Sequence, residues 1–334
     1  MKFGILLIAP DVSGNSERDF AQLLEQAVVA EELGYDSLWV TEHHSPCGVV
    51  GSPAVLLAAI AMRTSRIRLG SMAAILPYHR PIHVAESYAL VDVLSGGRLE
   101  FGVGRGNLAS EVALHGVDPA TSRATFWESL SIVRGLWGDG RPPDGVTTYP
   151  QPVQQPVPIW VAANSLETAR QAAELGLRIA TSPSGGNLED YRRSVVAIRT
   201  MLEAGGHSPQ GMDFPLMTVD TYIAPSVDQA RLEFRDPAFT MHRLMCEADR
   251  RPVTAASAEA LASKAASLGT SLVTDPRGAI SFLRGLQASV GLSYFVAATA
   301  QGGLEHERVL SSMKLFAREV MDAIRADALL PCIQ

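Results

Sequence analysis

The sequence predicts an α/β protein of the (β/α)8 TIM-barrel class. Short apolar runs alternate with longer amphipathic stretches about eight times in one unbroken series. The runs are almost continuously apolar, as strands are when helices cover one sheet face and a barrel core the other. The length, 334 residues, suits one barrel domain. A doubly wound open sheet is the competing topology, and eight units in series favour the barrel.

The chain opens with an apolar strand at 2–9. Residues 19–33 carry apolar side chains at helical spacing (Phe20, Leu23, Leu24, Ala27, Val28, Ala30), and Gly34 stands where a helix takes its closing glycine. Strand 36–41 precedes a helix of small residues at 53–64. Strand 67–75 leads to a helix at 81–94, stopped by Gly96-Gly97. Strand 98–103 and helix 122–137 follow. A polar, proline-rich excursion at 138–156 comes before strand 157–163 and helix 165–175. Strand 177–181, helix 187–204 and strand 216–223 continue the alternation, which strand 293–298 and helix 305–324 close. Residues 236–276 fit no single unit and are expected to form a lid or binding insertion within one domain, 1–334.

Composition excludes several function classes. Hydrophobic residues make up 47% and charged residues 19%, which rules out intrinsic disorder. Lys and Arg number 28 against 35 Asp and Glu, a net charge of −7. With no basic cluster, a nucleic-acid or acidic-membrane partner is not expected. Cys47, Cys246 and Cys332 lie far apart with no CxxC, so neither a disulfide framework nor a structural zinc site is expected. The longest apolar runs are too short to span a bilayer. The amino-terminal run reads as a first strand rather than a signal peptide. The expectation is a soluble, cytoplasmic protein.

In a barrel the chemistry sits at the carboxyl ends of the strands. The second strand ends Thr41-Glu42-His43-His44, a carboxylate beside two imidazoles, suited to acid/base work near neutral pH. Alternation sends His43 and His44 to opposite sides, and spacing does not say which faces the mouth. The pair is equally readable as capping or packing histidines. Adjacent histidines point apart and Cys47 sits at no recurrent ligand spacing, so no metal is expected. The fourth strand ends Gly102-Val103-Gly104-Arg105-Gly106-Asn107. A dinucleotide fingerprint would need a third glycine where Asn107 stands. Arg105 between glycines is suited to a phosphate beside a flat ligand, or is an ordinary turn arginine. The fifth strand runs into Asn164-Ser165-Leu166-Glu167-Thr168, a helix start that caps itself and whose free N–H groups can also cradle a phosphate.

Five segments in order resemble the bacterial luciferase-like flavin-dependent monooxygenases. They are Tyr-Asp-Ser-Leu-Trp-Val-Thr-Glu-His-His at 35–44, Gly-Ser-Met-Ala-Ala-Ile-Leu-Pro at 70–77, and Gly-Gly-Arg-Leu-Glu-Phe-Gly-Val-Gly-Arg-Gly at 96–106. Pro-Ile-Trp-Val-Ala-Ala-Asn-Ser at 158–165 and Ser-Met-Lys-Leu-Phe at 312–316 complete the set. The likeness is weakest from 236 to 292. It implies reduced flavin in a TIM-barrel mouth, with His43 as the catalytic histidine of the Glu-His-His element and His44 beside it. It implies that Arg105, Ser165 and Thr168 hold the FMN phosphate, with Asn164 adjacent. It also implies a non-prolyl cis peptide at Met72–Ala73 supporting the flavin ring. Luciferase has a reactive cysteine where this chain has Gly104, so light emission does not carry over.

The implied function is a two-component monooxygenase. A separate flavin reductase supplies FMNH2, and O2 oxygenates a small organic substrate through a flavin C4a-peroxide. Deazaflavin (F420) hydride transfer, used by other branches of the superfamily, and a non-catalytic flavin-binding subunit are the alternatives. The small-residue helices at 53–64 and 81–94 predict a homodimer packed about a two-fold axis.

Overall fold

The computed structural model describes residues 1–140, 145–163, 165–181, 188–206, 216–253, 271–299 and 302–327. In chain order these form β1 (Lys2–Leu7), α1 (Ser16–Glu32), β2 (Ser37–Val40), α2 (Pro53–Ala61), β3 (Arg68–Ser71) and β4 (Ala74–Ile75). Next come α3 (Pro81–Ser95), β5 (Leu99–Gly104), α4 (Ala109–Leu114), α5 (Ser122–Leu136), β6 (Ile159–Ala162), α6 (Leu166–Glu174) and β7 (Arg178–Ala180). The remainder is α7 (Leu188–Ala204), β8 (Leu216–Ile223), α8 (Val227–Ala248), β9 (Ser271–Thr274), α9 (Pro276–Val290), β10 (Tyr294–Ala298) and α10 (His306–Leu315). The helix starts follow their sequence signals. Asn15, Ser165, Ser226 and Asp275 each accept a backbone N–H of the first turn. At the other ends, α3 and α9 close on Gly96 and Gly291 in the left-handed region.

Every strand pairing among the described residues is parallel, in the order β7-β6-β5-β3-β2-β1-β10-β8-β9, with β4 alongside β5. Side-chain alternation divides this sheet into two faces. Phe3, Ile5, Leu7, Leu38, Val40, Ile159, Val161, Phe295 and Ala297 join the helices in the large outer core. Their neighbours Leu6, Ile8, Trp39, Trp160, Val296 and Ala298 form a second cluster inside. Trp39 of β2 meets Trp160 of β6 edge-on at 5.8 Å, and Trp160 meets Tyr294 of β10 at 6.0 Å. Strands far apart in the sheet order touch through these rings, so the sheet curls around an interior filled with side chains, as a TIM barrel does. At the amino-terminal end of that interior, Glu100 accepts hydrogen bonds from Trp160 Nε1 (2.6 Å), Arg68 Nε (2.8 Å) and Arg178 (3.0 Å).

Two expectations change. The strand foreseen at 67–75 is broken in two. β3 pairs with β5 at Leu69 and Gly70, β4 pairs with it again at Ala74 and Ile75, and the Met72–Ala73 peptide between them is cis. The insertion foreseen at 236–276 begins as ordered helix, because α8 runs through Pro237 to Ala248. An internal proline reads in sequence as a helix end, yet here the helix continues. The foreseen insertion ends on β9, which pairs in register with β8 and with α9 supplies a β/α unit that the sequence pattern hid. Residues 254–270 of it lie outside the described set.

The curl depends on glycines facing large groups. A Cβ on Gly70 would lie 2.2 Å from the Trp39 ring, and one on Gly102 would lie 1.9 Å from the Ser71 carbonyl oxygen, next to the cis peptide. Backbone cannot retreat as a side chain can. Gly102→Ala is therefore expected to cost about 3 kcal/mol or to prevent folding, measured as a loss in denaturant midpoint. Wild-type stability in the variant would show that this approach is loose.

Candidate active site

The strand ends open into a cavity of about 810 Å³. Among its lining residues are His43, Met72, Ala73, Gly104, Arg105, Ser165, Thr168, Asp220 and Met241. Of the residues singled out in sequence, His43, Met72, Ala73, Gly104, Arg105, Ser165 and Thr168 thus reach one space, and His44 does not. Asn164 lies outside the described residues.

His43 is held from three sides. Its backbone N–H donates to Val50 O at 3.1 Å. Gly48 of the tight 45–48 turn lies against the ring, where a Cβ would meet Cδ2 at 2.9 Å. Nδ1 lies 3.3 Å from the carboxylate of Glu111, on α4. Glu111 is buried and also accepts the His44 N–H (2.8 Å) and the Ser45 hydroxyl (2.7 Å). Burial pushes the Glu111 carboxyl up. The hydrogen bond from His43, that imidazole's charge, the His44 amide and the Ser45 hydroxyl outweigh it and hold the group below the usual carboxylate range. An ionised carboxylate only accepts, so Nδ1 carries a proton, and in the neutral imidazole Nε2 is the nitrogen with the free lone pair.

His44 turns the other way, as strand alternation requires of its neighbour. Its Nε2 pairs with Glu42 at 3.2 Å, and its ring packs on His115 at 4.3 Å. His115 in turn stacks on Tyr78 at 4.3 Å. Burial, then the charges of His44 and His79, lower the His115 pKa. Glu42 also accepts His79 Nε2 at 2.6 Å and the Ile75 N–H at 2.9 Å. His44 therefore belongs to a polar network that ties the end of β2 to β4. The structure thus places it outside the cavity lining that His43 reaches.

The cavity's far side is suited to an anion. Arg105, an exposed residue, donates to the Ser122 hydroxyl at 3.3 Å and has no carboxylate partner among the described residues. Ser165 caps α6, accepting the Thr168 N–H, and the two hydroxyls lie 3.0 Å apart. Arg123 beside them is already paired with Glu167 at 2.6 Å. Uncommitted positive charge and a helix start with two hydroxyls are the ingredients of a phosphate site.

Sequence reasoning missed Glu111, Asp220 and the α8 residues Ala238, Met241, His242 and Met245. Glu111 sits in a six-residue helix too short for a periodic signal. Asp220 had a usable signal, a lone carboxylate within an apolar strand. It faces the cavity with no hydrogen-bonding or ionic partner among the described residues, and burial pushes its carboxyl up to about 7. The folded chain then keeps a proton that the unfolded chain loses near pH 4, so stability falls as the pH rises from about 4 to about 7 and levels above. Asp220→Asn should abolish that fall, gaining thermal stability on wild type between pH 5 and pH 8. Parallel melting-temperature profiles for the two proteins would instead mean that water solvates this carboxylate.

Comparison with known proteins places the chain among its relatives. The chain is 42% identical over 127 residues to 4-hydroxyprotoasukamycin monooxygenase of Streptomyces nodosus subsp. asukaensis, spanning 38% of this chain and 34% of that protein. It is 28% identical over 247 residues to the oxygenase component of the flavin-dependent trigonelline monooxygenase of Acinetobacter baylyi, spanning 70% and 68%. An F420-dependent glucose-6-phosphate dehydrogenase of Amycolatopsis mediterranei is 31% identical over 209 residues, spanning 57% and 62%. The chain thus covers about a third to two thirds of these relatives. The crystal structure of monooxygenase RslO1 from Streptomyces bottropensis superposes with a TM-score of 0.85 at 26% identity, covering 97% of this chain and all of that one. The family model of luciferase-like monooxygenases matches residues 1–280, most of the barrel and every cavity residue described above, and the chain belongs to that family.

Proposed function

We propose that the chain is the oxygenase of a two-component, flavin-dependent monooxygenase. It would take FMNH2 from a separate reductase in the cytoplasm and use O2 to oxygenate a small organic substrate. One juxtaposition carries this reading: His43, backed by Glu111, and the Arg105–Ser165–Thr168 cluster line the same cavity. The oxygenase-component relative supports an external reductase.

The residues present fit the group. Arg105 and the hydroxyls of Ser165 and Thr168 match a phosphate. Met72, Ala73, Gly104 and Ala162 give small, flat walls. A Cβ on Gly104 would lie 3.0 Å from that of Ala73, so a larger residue would crowd the ring's place. A volume of about 810 Å³ leaves room for a substrate beside the flavin. When bound, reduced FMN supplies the two electrons that activate O2. The chain's residues orient and shield. Ala238, Met241 and Met245 of α8 exclude water from the mouth. His43 Nε2 takes or gives a proton to the reacting oxygen or substrate, while Glu111 fixes the tautomer and stabilises the imidazolium. The F420-dependent relative favours a second reading, hydride transfer in the same cavity.

Oxygen uptake and product mass, measured with purified chain, an FMN reductase and a substrate panel, test the proposal. Oxygen-dependent product is expected, and a reaction that runs only with reduced F420 would overturn it. His43→Ala should leave FMN affinity near normal and lower product formation about 100-fold. Unchanged coupled turnover would remove His43 from the chemistry.

The same reading includes a homodimer. No helix among the described residues is long and apolar enough to cross a membrane, yet α2 and α3 expose apolar side chains. Val55 and Met62 are each 69% exposed, Ala59 lies between them on the same side of α2, and Leu90, Val93 and Leu94 are exposed on α3. A patch of this kind favours an isologous contact. Ala59→Arg should give monomers in light scattering where wild type gives dimers. A single-chain mass for wild type at micromolar concentration would refute the dimer.

A further inference from the structure

His43, Cys47 and Glu111 each bring one donor atom into a group in which all three lie within 4.8 Å of one another. The thiol of Cys47 is fully buried, under Leu108, Leu244 and Ala248. Glu111 is 3% exposed. The Ser45 hydroxyl lies 3.1 Å from Cys47 Sγ and donates to Glu111 at 2.7 Å, so it orients both donors from behind. The 45–48 turn fixes the spacing of His43 and Cys47, through Gly48 N–H to Ser45 O at 2.9 Å. The His44 N–H anchors Glu111 against that same turn. His43 lines the cavity, which gives an ion a way in.

We propose that His43, Cys47 and Glu111 form a binding site for one thiophilic divalent cation of the Zn²⁺ class, held on the Nδ1 edge of His43. The donor set selects the ion. Thiolate, imidazole and carboxylate together suit Zn²⁺ and its softer analogues, whereas Mg²⁺ and Ca²⁺ require six or more oxygens. Zinc bonds of about 2.3 Å to sulfur and about 2.0 to 2.2 Å to nitrogen and oxygen put tetrahedral donors roughly 3.5 Å apart. The three donors must therefore close by up to about 1.3 Å, within reach of side-chain rotation. Three protein ligands leave one position for water. On binding, the Cys47 thiol releases its proton to solvent, the His43 ring proton moves from Nδ1 to Nε2, and the sulfur–metal and nitrogen–metal bonds form without any redox change. The imidazole is then fixed as its Nε2–H form, a donor that cannot accept a proton. If His43 moves protons as proposed above, the bound ion arrests it, so the site would act as an inhibitory metal switch. That consequence rests on the functional reading, while the site itself does not.

The test uses the full chain, freed of metal by a chelator and without flavin. Zn²⁺ titrated against a chromophoric chelator should bind one per chain. Co²⁺ in its place should give a thiolate-to-metal charge-transfer band in the near ultraviolet, and Zn²⁺ should shift the His43 Nδ1 resonance in imidazole ¹H–¹⁵N spectra. Cys47→Ser, which keeps the buried volume, should weaken Zn²⁺ at least tenfold and abolish the Co²⁺ band. His79→Gln, which alters the separate Glu42 cluster, should leave binding unchanged. Wild-type Co²⁺ spectra lacking the thiolate band would overturn the proposal, as would Zn²⁺ affinity lost with His79→Gln and kept in Cys47→Ser. The band is read on wild type, so the proposal stays testable even if Cys47→Ser fails to fold.

Discussion

The position of Trp39 inside the barrel governs the rest of the architecture. Its ring fits because residue 70 on the adjacent strand is glycine. It meets Trp160, which meets Tyr294, so three strands separated in the sheet are pulled around one interior. The indole N–H groups have partners, Trp39 in Ser37 and Trp160 in Glu100, so the large rings are buried without an unsatisfied donor. Once the sheet curls about these rings, the ends of β2, β4, β5, β6, β7 and β8 converge. The cavity is the space above the filled interior.

Two buried carboxylates then organise the mouth. Glu42 and Glu111 are almost fully buried, and neither has a lysine or arginine partner among the described residues. Their acceptor capacity is met by imidazoles, backbone N–H groups and a hydroxyl. Such networks are stable only when every member is satisfied. That constraint explains why His44, although adjacent to His43, has a structural part: without it and His79, the buried Glu42 carboxyl would have only the Ile75 amide. The consequence for His43 is a defined tautomer aimed at the cavity.

The relatives of this chain include proteins named for flavin and for F420. In this chain the filled barrel carries small residues at the β3–β5 ends, Arg105 past β5 and the Ser165 and Thr168 hydroxyls past β6. Met241, His242 and Met245 of α8 and Asp220 of β8 line the cavity. Methionines adapt their shape to a ligand, and an unpartnered carboxyl discriminates by hydrogen bonding.

The sequence by itself determined the β/α alternation, the barrel class, the strand ends that carry chemistry, and Arg105, Ser165 and Thr168 as candidates at those ends. These are local properties: apolar runs, caps, and polar groups placed just past a strand. It did not determine which of His43 and His44 faces inward, because alternation gives opposite sides without giving the sign. It missed β9 and the course of α8, because a four-residue strand carries little signal and Pro237 reads as a break. Only the tertiary structure brought Glu111, 68 residues along the chain, against His43, and with it Cys47. Only the tertiary structure isolated the Asp220 carboxyl in the cavity wall. Such pairings follow from how the sheet curls, and that depends on packing between strands that no local stretch of sequence contains.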